Sequence, residues 1–317
     1  MVTGAAGQIG SELTMRLRNI YGGANVVAVD LLTNPEPELR ETGPYETLDI
    51  TEGNHFAQIA NRYDIDAIYH LAAILSAVGE RKPDLAWDVN MHGLKNVLDI
   101  ARDREMSLVM VPSSIAVFGP NTPKENTPQE TVLRPNSMYG VTKVAGELLC
   151  DYYYHKWGLD VRGVRYPGLI SYKTLPGGGT TDYAVAIYYS AVKGEPYTCF
   201  VREETILPMM YMPDALRALL ELAHADGSKL RYHNAYNVAA LSFNVRELAD
   251  SIRRHVPDFT VEYEPDFHQA IADGCQRSID DSAAREDGGW CPEYDLEAMT
   301  EDMILHLRER HAAGELL

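Results

Sequence analysis

Three glycines, Gly4, Gly7 and Gly10, stand at equal spacing between a short apolar run and a segment whose apolar residues recur at helical spacing. The stretch reads Val2-Thr3-Gly4-Ala5-Ala6-Gly7-Gln8-Ile9-Gly10, followed by Leu13, Leu17 and Ile20 on one expected helical face. A strand that turns through glycines straight into a helix starts a crossover, and crossovers of that kind build parallel sheets. Glycines also let the backbone approach a pyrophosphate, which the free N–H groups and dipole of the helix attract. Residues 25–30 read as the next strand, and Asp30 closes it 20 residues past Gly10. A carboxylate there accepts hydrogen bonds from an adenosine ribose and repels a 2′-phosphate, so the spacing points to NAD rather than NADP. The plainer alternative is a solvated Asp at a strand end. Only Met1, Val2 and Thr3 precede the first glycine, whereas strands usually run about 5–6 residues. The first strand is therefore expected to be cut short or to begin upstream of Met1.

Further along, residues 45–50, 67–71, 107–111 and 160–165 read as strands, and 54–62, 85–104 and 137–157 as helices. This alternation predicts an α/β fold, a Rossmann-type doubly wound parallel sheet with helices on both faces. After Tyr166 the rhythm loosens into Pro- and Gly-marked turns, with helical stretches near 182–193, 214–224, 244–255 and 295–311. The expected division is a nucleotide-binding lobe over 1–166 and a smaller mixed α/β lobe over 167–317, contributed discontinuously, that covers the ligand.

The chain carries 28 Lys+Arg against 46 Asp+Glu, a formal net charge of −18. Such a surface repels nucleic acid and anionic membranes. It also repels a dinucleotide, so binding must rest on local donors such as the N–H groups after Gly7. No apolar run approaches the roughly 20 residues of a membrane helix, and no signal peptide opens the chain. Cys150, Cys199, Cys275 and Cys291 are scattered, which fits reduced thiols in a cytoplasm. The histidines show no metal-binding spacing, so no metal is expected, and His70 reads as a strand-end hydrogen-bonder.

Chemistry enters at Tyr139-Gly140-Val141-Thr142-Lys143. Residues four apart share a helix face, so Lys143 lies beside Tyr139. A free tyrosine titrates near 10; a neighbouring ammonium stabilises the phenolate, which suits it to take a hydroxyl proton while hydride leaves the same carbon. Ser114 ends the strand at 107–111 and its extension, where open α/β sheets bind ligands, and can orient the reacting oxygen. A turn-forming serine is the bland alternative.

Taken together, Gly4/Gly7/Gly10, Asp30, His70-Leu71-Ala72-Ala73, Asn90, Ser114 and Pro135-Asn136-Ser137-Met138-Tyr139-Gly140-Val141-Thr142-Lys143 resemble an extended short-chain dehydrogenase/reductase over essentially the whole chain. The resemblance implies a Ser114–Tyr139–Lys143 active site and bound NAD. It implies that Asp49 and Ile50 flank the adenine, that Leu71, Ala72 and Ala73 line the nicotinamide side, and that Asn90 buttresses Lys143. Gln8, Ile9, Leu31 and Tyr166 complete the cofactor set, with Tyr139 and Lys143 shared between cofactor and catalysis. Ile115 and Ala116 follow Ser114 where the family's dehydratases need an added acid and base. Arg165-Tyr166-Pro167-Gly168 stands where its epimerases carry an asparagine.

Four segments, at 175–185, 207–214, 269–273 and 280–285, are similar to the short-chain type of L-threonine 3-dehydrogenase. That group implies oxidation of L-threonine at C3 to 2-amino-3-oxobutyrate in threonine catabolism. Gly178, Gly179, Thr180 and Thr181 would then offer donors to the substrate carboxylate, unless they are only a turn and helix cap. Ser76, Ser114 and Tyr139 are the other expected substrate contacts, and Met209-Met210 read as packing beneath the site. The rival readings are a nucleotide-sugar epimerase with tightly held NAD and, more remotely, a non-catalytic NAD-binding regulator. The resemblance further implies a homodimer through the helices at 85–104 and 137–157.

Overall fold

The computed structural model describes residues 1–175 and 179–316. Its first nine strands are β1 (Val2–Thr3), β2 (Ala28–Asp30), β3 (Tyr45–Thr47), β4 (Ala67–His70), β5 (Leu108–Met110), β6 (Ser113–Ser114), β7 (Val161–Arg162), β8 (Val164–Tyr166) and β9 (Gly168–Ile170). The main sheet is parallel and six-stranded, in the order β3-β2-β1-β4-β5-β7. The chain winds outward from β1 to β3, returns, and winds outward again from β4. The switch point between β1 and β4 leaves a crevice at their carboxyl ends, where such sheets bind ligands. The expected Rossmann-type fold is what forms. β1 is short but fully buried, with Val2 and Thr3 paired to Ala28 and Val29 on one side and to Tyr69 and His70 on the other.

The helices are α1 (Gln8–Tyr21), α2 (Pro37–Glu41), α3 (Gly53–Arg62), α4 (Ser76–Arg81), α5 (Pro83–Trp87), α6 (Leu94–Asp103), α7 (Met138–Trp157), α8 (Tyr183–Lys193), α9 (Met212–His224), α10 (Val245–His255), α11 (Phe267–Gly274), α12 (Ser282–Gly288) and α13 (Leu296–Ala312). Alternate strand residues feed two cores. Val27, Val29, Ile68 and Val109 join the apolar stripe of α6 (Leu94, Val97, Leu98, Ala101) and α3 (Phe56, Ile59, Ala60). Ala28, Tyr69 and Met110 turn the other way, onto Leu13 and Leu17 of α1 and Ala215, Leu219 and Leu222 of α9. A separate core gathers residues of the second half around Tyr183, Tyr188, Tyr211 and Met303. There the strands β10 (Tyr197–Cys199), β11 (Ile206–Tyr211), β12 (Tyr236–Asn237), β13 (Leu241–Asn244) and β14 (Val261–Tyr263) make small sheets, β11 sitting between β13 and β9.

Three local expectations are corrected. Ile20 does not face the core but is 49% exposed. Arg18 turns inward instead, and its guanidinium donates to the carbonyls of Val26, Leu39 and Pro44 and to Thr42 Oγ1 at 2.7–3.3 Å. The stretch 85–104 is not one helix: α5 passes into a π-turn over Asp88–Gly93 before α6 begins. The strand at 160–165 breaks at Gly163, because β7 stays with β5 while β8 crosses to pair with β6 and β12.

Candidate active site

The glycine loop leaves β1 and folds against the chain leaving β4. Gly4 has φ +68°, and a Cβ there would stand 2.6 Å from the Ala72 amide nitrogen, so only glycine permits this approach. The loop is pinned from β2: Ala6 N donates to Asp30 Oδ2 at 2.9 Å, and Leu32 N donates to Asp30 Oδ1 at 3.1 Å. Gly7 caps α1 without a side chain, and the first turn holds no acidic residue. The leading N–H groups of Gln8, Ile9 and Gly10 thus keep their positive field for an anion. This uncapped cradle, with a carboxylate at the end of β2, fits a dinucleotide with a free ribose diol. Beyond β2 and β3, Leu31 is 66% exposed, and Asp49 accepts from Thr51 N and Oγ1 at 2.9 and 2.7 Å. Ile50 is buried, with its carbonyl held by Asn96 Nδ2 at 3.0 Å.

Tyr139 and Lys143 share a face of α7. Ser137 caps that helix by accepting from Gly140 N at 3.1 Å. A Cβ on Gly140 would stand 2.4 Å from the Ala116 carbonyl oxygen, so the glycine lets the first turn of α7 lie against the 115–117 turn that follows Ser114. Lys143 Nζ donates to the Pro112 carbonyl at 2.8 Å and lies 5.7 Å from the Tyr139 ring centroid. Ser114 Oγ accepts from Ala116 N at 3.2 Å, and all three candidate catalytic residues are half-buried. Asn90 sits in the π-turn, a form frequent at functional sites. It accepts from Ile74 N (2.7 Å) and donates to Ile74 O and to Thr142 Oγ1 (3.0 Å each), and Thr142 in turn donates to the Tyr139 carbonyl (2.9 Å). Its hold on α7 thus runs through Thr142, the neighbour of Lys143.

His70 pairs with Thr3 Oγ1 at 2.8 Å. Burial first, and the Lys143 charge second, push it down to about 3, so the ring is neutral. Leu71, Ala72 and Ala73 continue from it, half-buried, past the glycine loop. Behind Lys143 lies a cavity lined by His70, Asn90, Ser113, Glu147, Cys150 and Asn234 among others. Burial raises the Cys150 thiol far above its usual range, which makes it inert.

One feature of the site was missed at the level of sequence. Glu147, two turns beyond Tyr139, is buried and forms a two-pronged pair with Arg165 of β8, at 2.9 Å from Nε and 2.8 Å from Nη2. Ser113 donates to Glu147 Oε1 at 2.5 Å, and Arg165 Nη1 donates to Gln129 O and Asn237 Oδ1 at 3.0 and 3.2 Å. The available signal was an arginine inside an apolar strand, which demands a buried partner.

On the substrate side, Gly178 lies outside the described residues. Gly179 N donates to Asp182 Oδ2 at 2.7 Å, so a carboxylate of the chain itself already takes that donor. Thr180 and Thr181 are half-buried, and Ser76 is exposed at the start of α4. Met209 and Met210 are fully buried and pack as expected. Tyr166 is buried, with its hydroxyl donated to the Ala215 carbonyl at 2.5 Å, and so has no free hydrogen for a ligand. Among the described residues no helix is long and apolar enough to cross a membrane.

Comparison with known proteins places this geometry. The sequence model of the NAD-dependent epimerase/dehydratase family matches residues 1–239. An L-threonine dehydrogenase from Clostridium difficile is 52% identical, with a TM-score of 0.95 over 98% of this chain and 97% of that one. A monomeric L-threonine 3-dehydrogenase from a metagenome is 50% identical, with a TM-score of 0.93 over 97% and 98% of the two chains. An uncharacterized epimerase/dehydratase of Staphylococcus saprophyticus is 48% identical over 96% of this chain and 95% of its own length.

Proposed function

The chain belongs to the NAD-dependent epimerase/dehydratase family, and within it we propose that it is an L-threonine 3-dehydrogenase, oxidising L-threonine at C3 to 2-amino-3-oxobutyrate. The observation that carries this reading is likeness to L-threonine dehydrogenases over nearly the full length, at 52% and 50% identity. NAD, when bound, accepts the hydride from C3. The residues that would hold it are Gly4, Gly7, Gln8, Ile9 and Gly10 at the pyrophosphate, Asp30 and Leu31 at the adenosine ribose, Asp49 and Ile50 beside the adenine, and Leu71, Ala72, Ala73 and Lys143 toward the nicotinamide.

The chain's own residues move the proton. Ser114 Oγ orients the threonine hydroxyl, and the Tyr139 oxygen takes its proton. Lys143 favours the phenolate that acts as this base, since an ammonium beside it stabilises the charged form; on taking the proton the phenolate becomes the neutral phenol. Asn90 and Thr142 hold α7 in place, and Thr180 and Thr181 contact the amino acid. We read 1–166 as the nucleotide lobe and 167–317 as the substrate lobe of a cytoplasmic enzyme. The same reading includes a homodimer through α7 and its neighbours, where Val141, Leu148 and Tyr152 are exposed. A solution mass of one chain, as in the monomeric relative, would remove that part alone.

The test is NADH formation from L-threonine and free NAD. An epimerase gives no net NADH, and neither does an idle binder. Tyr139→Phe should keep NAD affinity within about twofold and lower kcat by a factor of about 10² or more. Near-normal turnover in that variant refutes the assignment.

A further inference from the structure

β9 opens on Gly168, a buried strand residue whose backbone is not left-handed. Nothing in the backbone asks for glycine here, and glycine weakens a strand. The space around it does ask for one. A Cβ at 168 would stand 2.5 Å from Met209 Sδ, 2.7 Å from Thr181 Cγ2 and 2.9 Å from Thr181 Cβ. Met209 lies opposite Gly168 in the β9/β11 register and is flexible enough to yield. Thr181 Cβ is tied to its backbone, so a side chain at 168 must lift the turn that carries Thr181.

That turn cannot slide away together with its helix. Asp182 N donates to Gly179 O, Gly179 N donates to Asp182 Oδ2, and Ala184 N donates to Thr181 O. The turn runs directly into α8, whose Tyr183, Ala184 and Ile187 are fully buried. On the other side, Gly168 follows Tyr166 by two residues, and Tyr166 pairs in register with Ser114. The bare strand at 168 is therefore where the Thr181 turn comes down, two residues along the chain from the strand partner of the candidate catalytic serine.

Resting on the threonine-dehydrogenase reading, we propose that Gly168 is a specificity-determining residue. Its missing side chain lets the Thr180–Thr181 turn seat on β9 and sizes the site for a small free 3-hydroxy amino acid. Any side chain at 168 lifts this roof, which loosens the hold on threonine and admits a bulkier substrate.

The experiment compares wild type, Gly168→Ala, Thr181→Ser and the double variant. It reads kcat and KM for L-threonine and for 3-phenylserine, NAD affinity, and hydrogen exchange at the Asp182 and Ala184 amides. Gly168→Ala should raise the threonine KM about tenfold with kcat and NAD affinity nearly unchanged, lower the threonine-to-phenylserine preference, and speed exchange at both amides. Thr181→Ser removes Cγ2, so the double variant should recover part of the KM loss and of the exchange protection. Wild-type KM and exchange in Gly168→Ala, or a double variant no better than the single one, overturns the proposal. Should Gly168→Ala fail to fold, Thr181→Ser alone decides: emptying the space over Gly168 should shift preference toward 3-phenylserine and speed exchange, and no change in either refutes the coupling. If the wild type makes no NADH from threonine, the functional reading falls, and the exchange comparison alone decides this inference.

Discussion

Replacing Glu147 by Leu should be among the most damaging single changes in the chain. The Arg165 guanidinium beside it is buried, its side chain 7% exposed, and receives both oxygens of the Glu147 carboxylate. Removing one partner of such a pair strands the other charge and costs about 3–5 kcal/mol. The Ser113 hydroxyl loses its acceptor as well, for about 1 kcal/mol more. Together that is a large part of a typical total stability of about 5–15 kcal/mol. At the roughly 2 °C per kcal/mol expected of a large chain, Tm should fall by about 8–12 °C. The cycle is completed by Arg165→Met, expected to cost about as much as Glu147→Leu, and by the double variant. Leu and Met together fill the space without a stranded charge, so the double should cost far less than the two singles added, with a coupling of at least about 2 kcal/mol. Urea midpoints followed by fluorescence and far-UV circular dichroism give the four stabilities. Single variants within about 1 kcal/mol of wild type, or a strictly additive double, would refute the argument that this pair is mutually dependent.

Two further outcomes follow from the site. Asp30→Ala removes the acceptor for Ala6 N and the charge facing a 2′-phosphate, so the ratio of NAD to NADP affinity should fall by about tenfold or more, as read by fluorescence titration of both nucleotides; an unchanged ratio sinks the role given to this carboxylate. His70 is held near 3 when folded and titrates near 6.5 when unfolded, so the unfolded chain binds the extra proton; stability is intact above pH 6.5 and declines as pH falls toward 3, by as much as about 5 kcal/mol. Acid unfolding of His70→Gln should show a shallower pH dependence over that window, and identical slopes would contradict it.

What could be read in the sequence was local. The glycine turn, Asp30 at the end of its strand and the Tyr139/Lys143 spacing each lie within one turn or one crossover, where periodicity and turn chemistry act directly. The helices expected over 54–62 and 137–157 were legible for the same reason and form as α3 and α7. The Glu147–Arg165 pair was not, because it joins a helix and a strand 18 residues apart and depends on their packing. Helical spacing puts Ile20 on the core face of α1, but Arg18 turns inward instead because the carbonyls of Val26, Leu39 and Pro44 converge on it. The break at Gly163 reflects a change of strand partners, β7 staying with β5 while β8 crosses to β6 and β12. Here and at Arg18 tertiary contacts override the local pattern.

The central strand β1 offers only two residues to the sheet, and its partners lie far along the chain: Thr3 meets His70 across a separation of 67 residues. A strand so short cannot hold shape on its own during synthesis. At about 5–20 residues per second, β1 waits several seconds for β4 to emerge before both of its edges are covered. The glycine cradle, made before β4, thus cannot settle until β4 has emerged. A nascent chain stalled before β4 should carry no competent nucleotide cradle, whatever its first helix is doing.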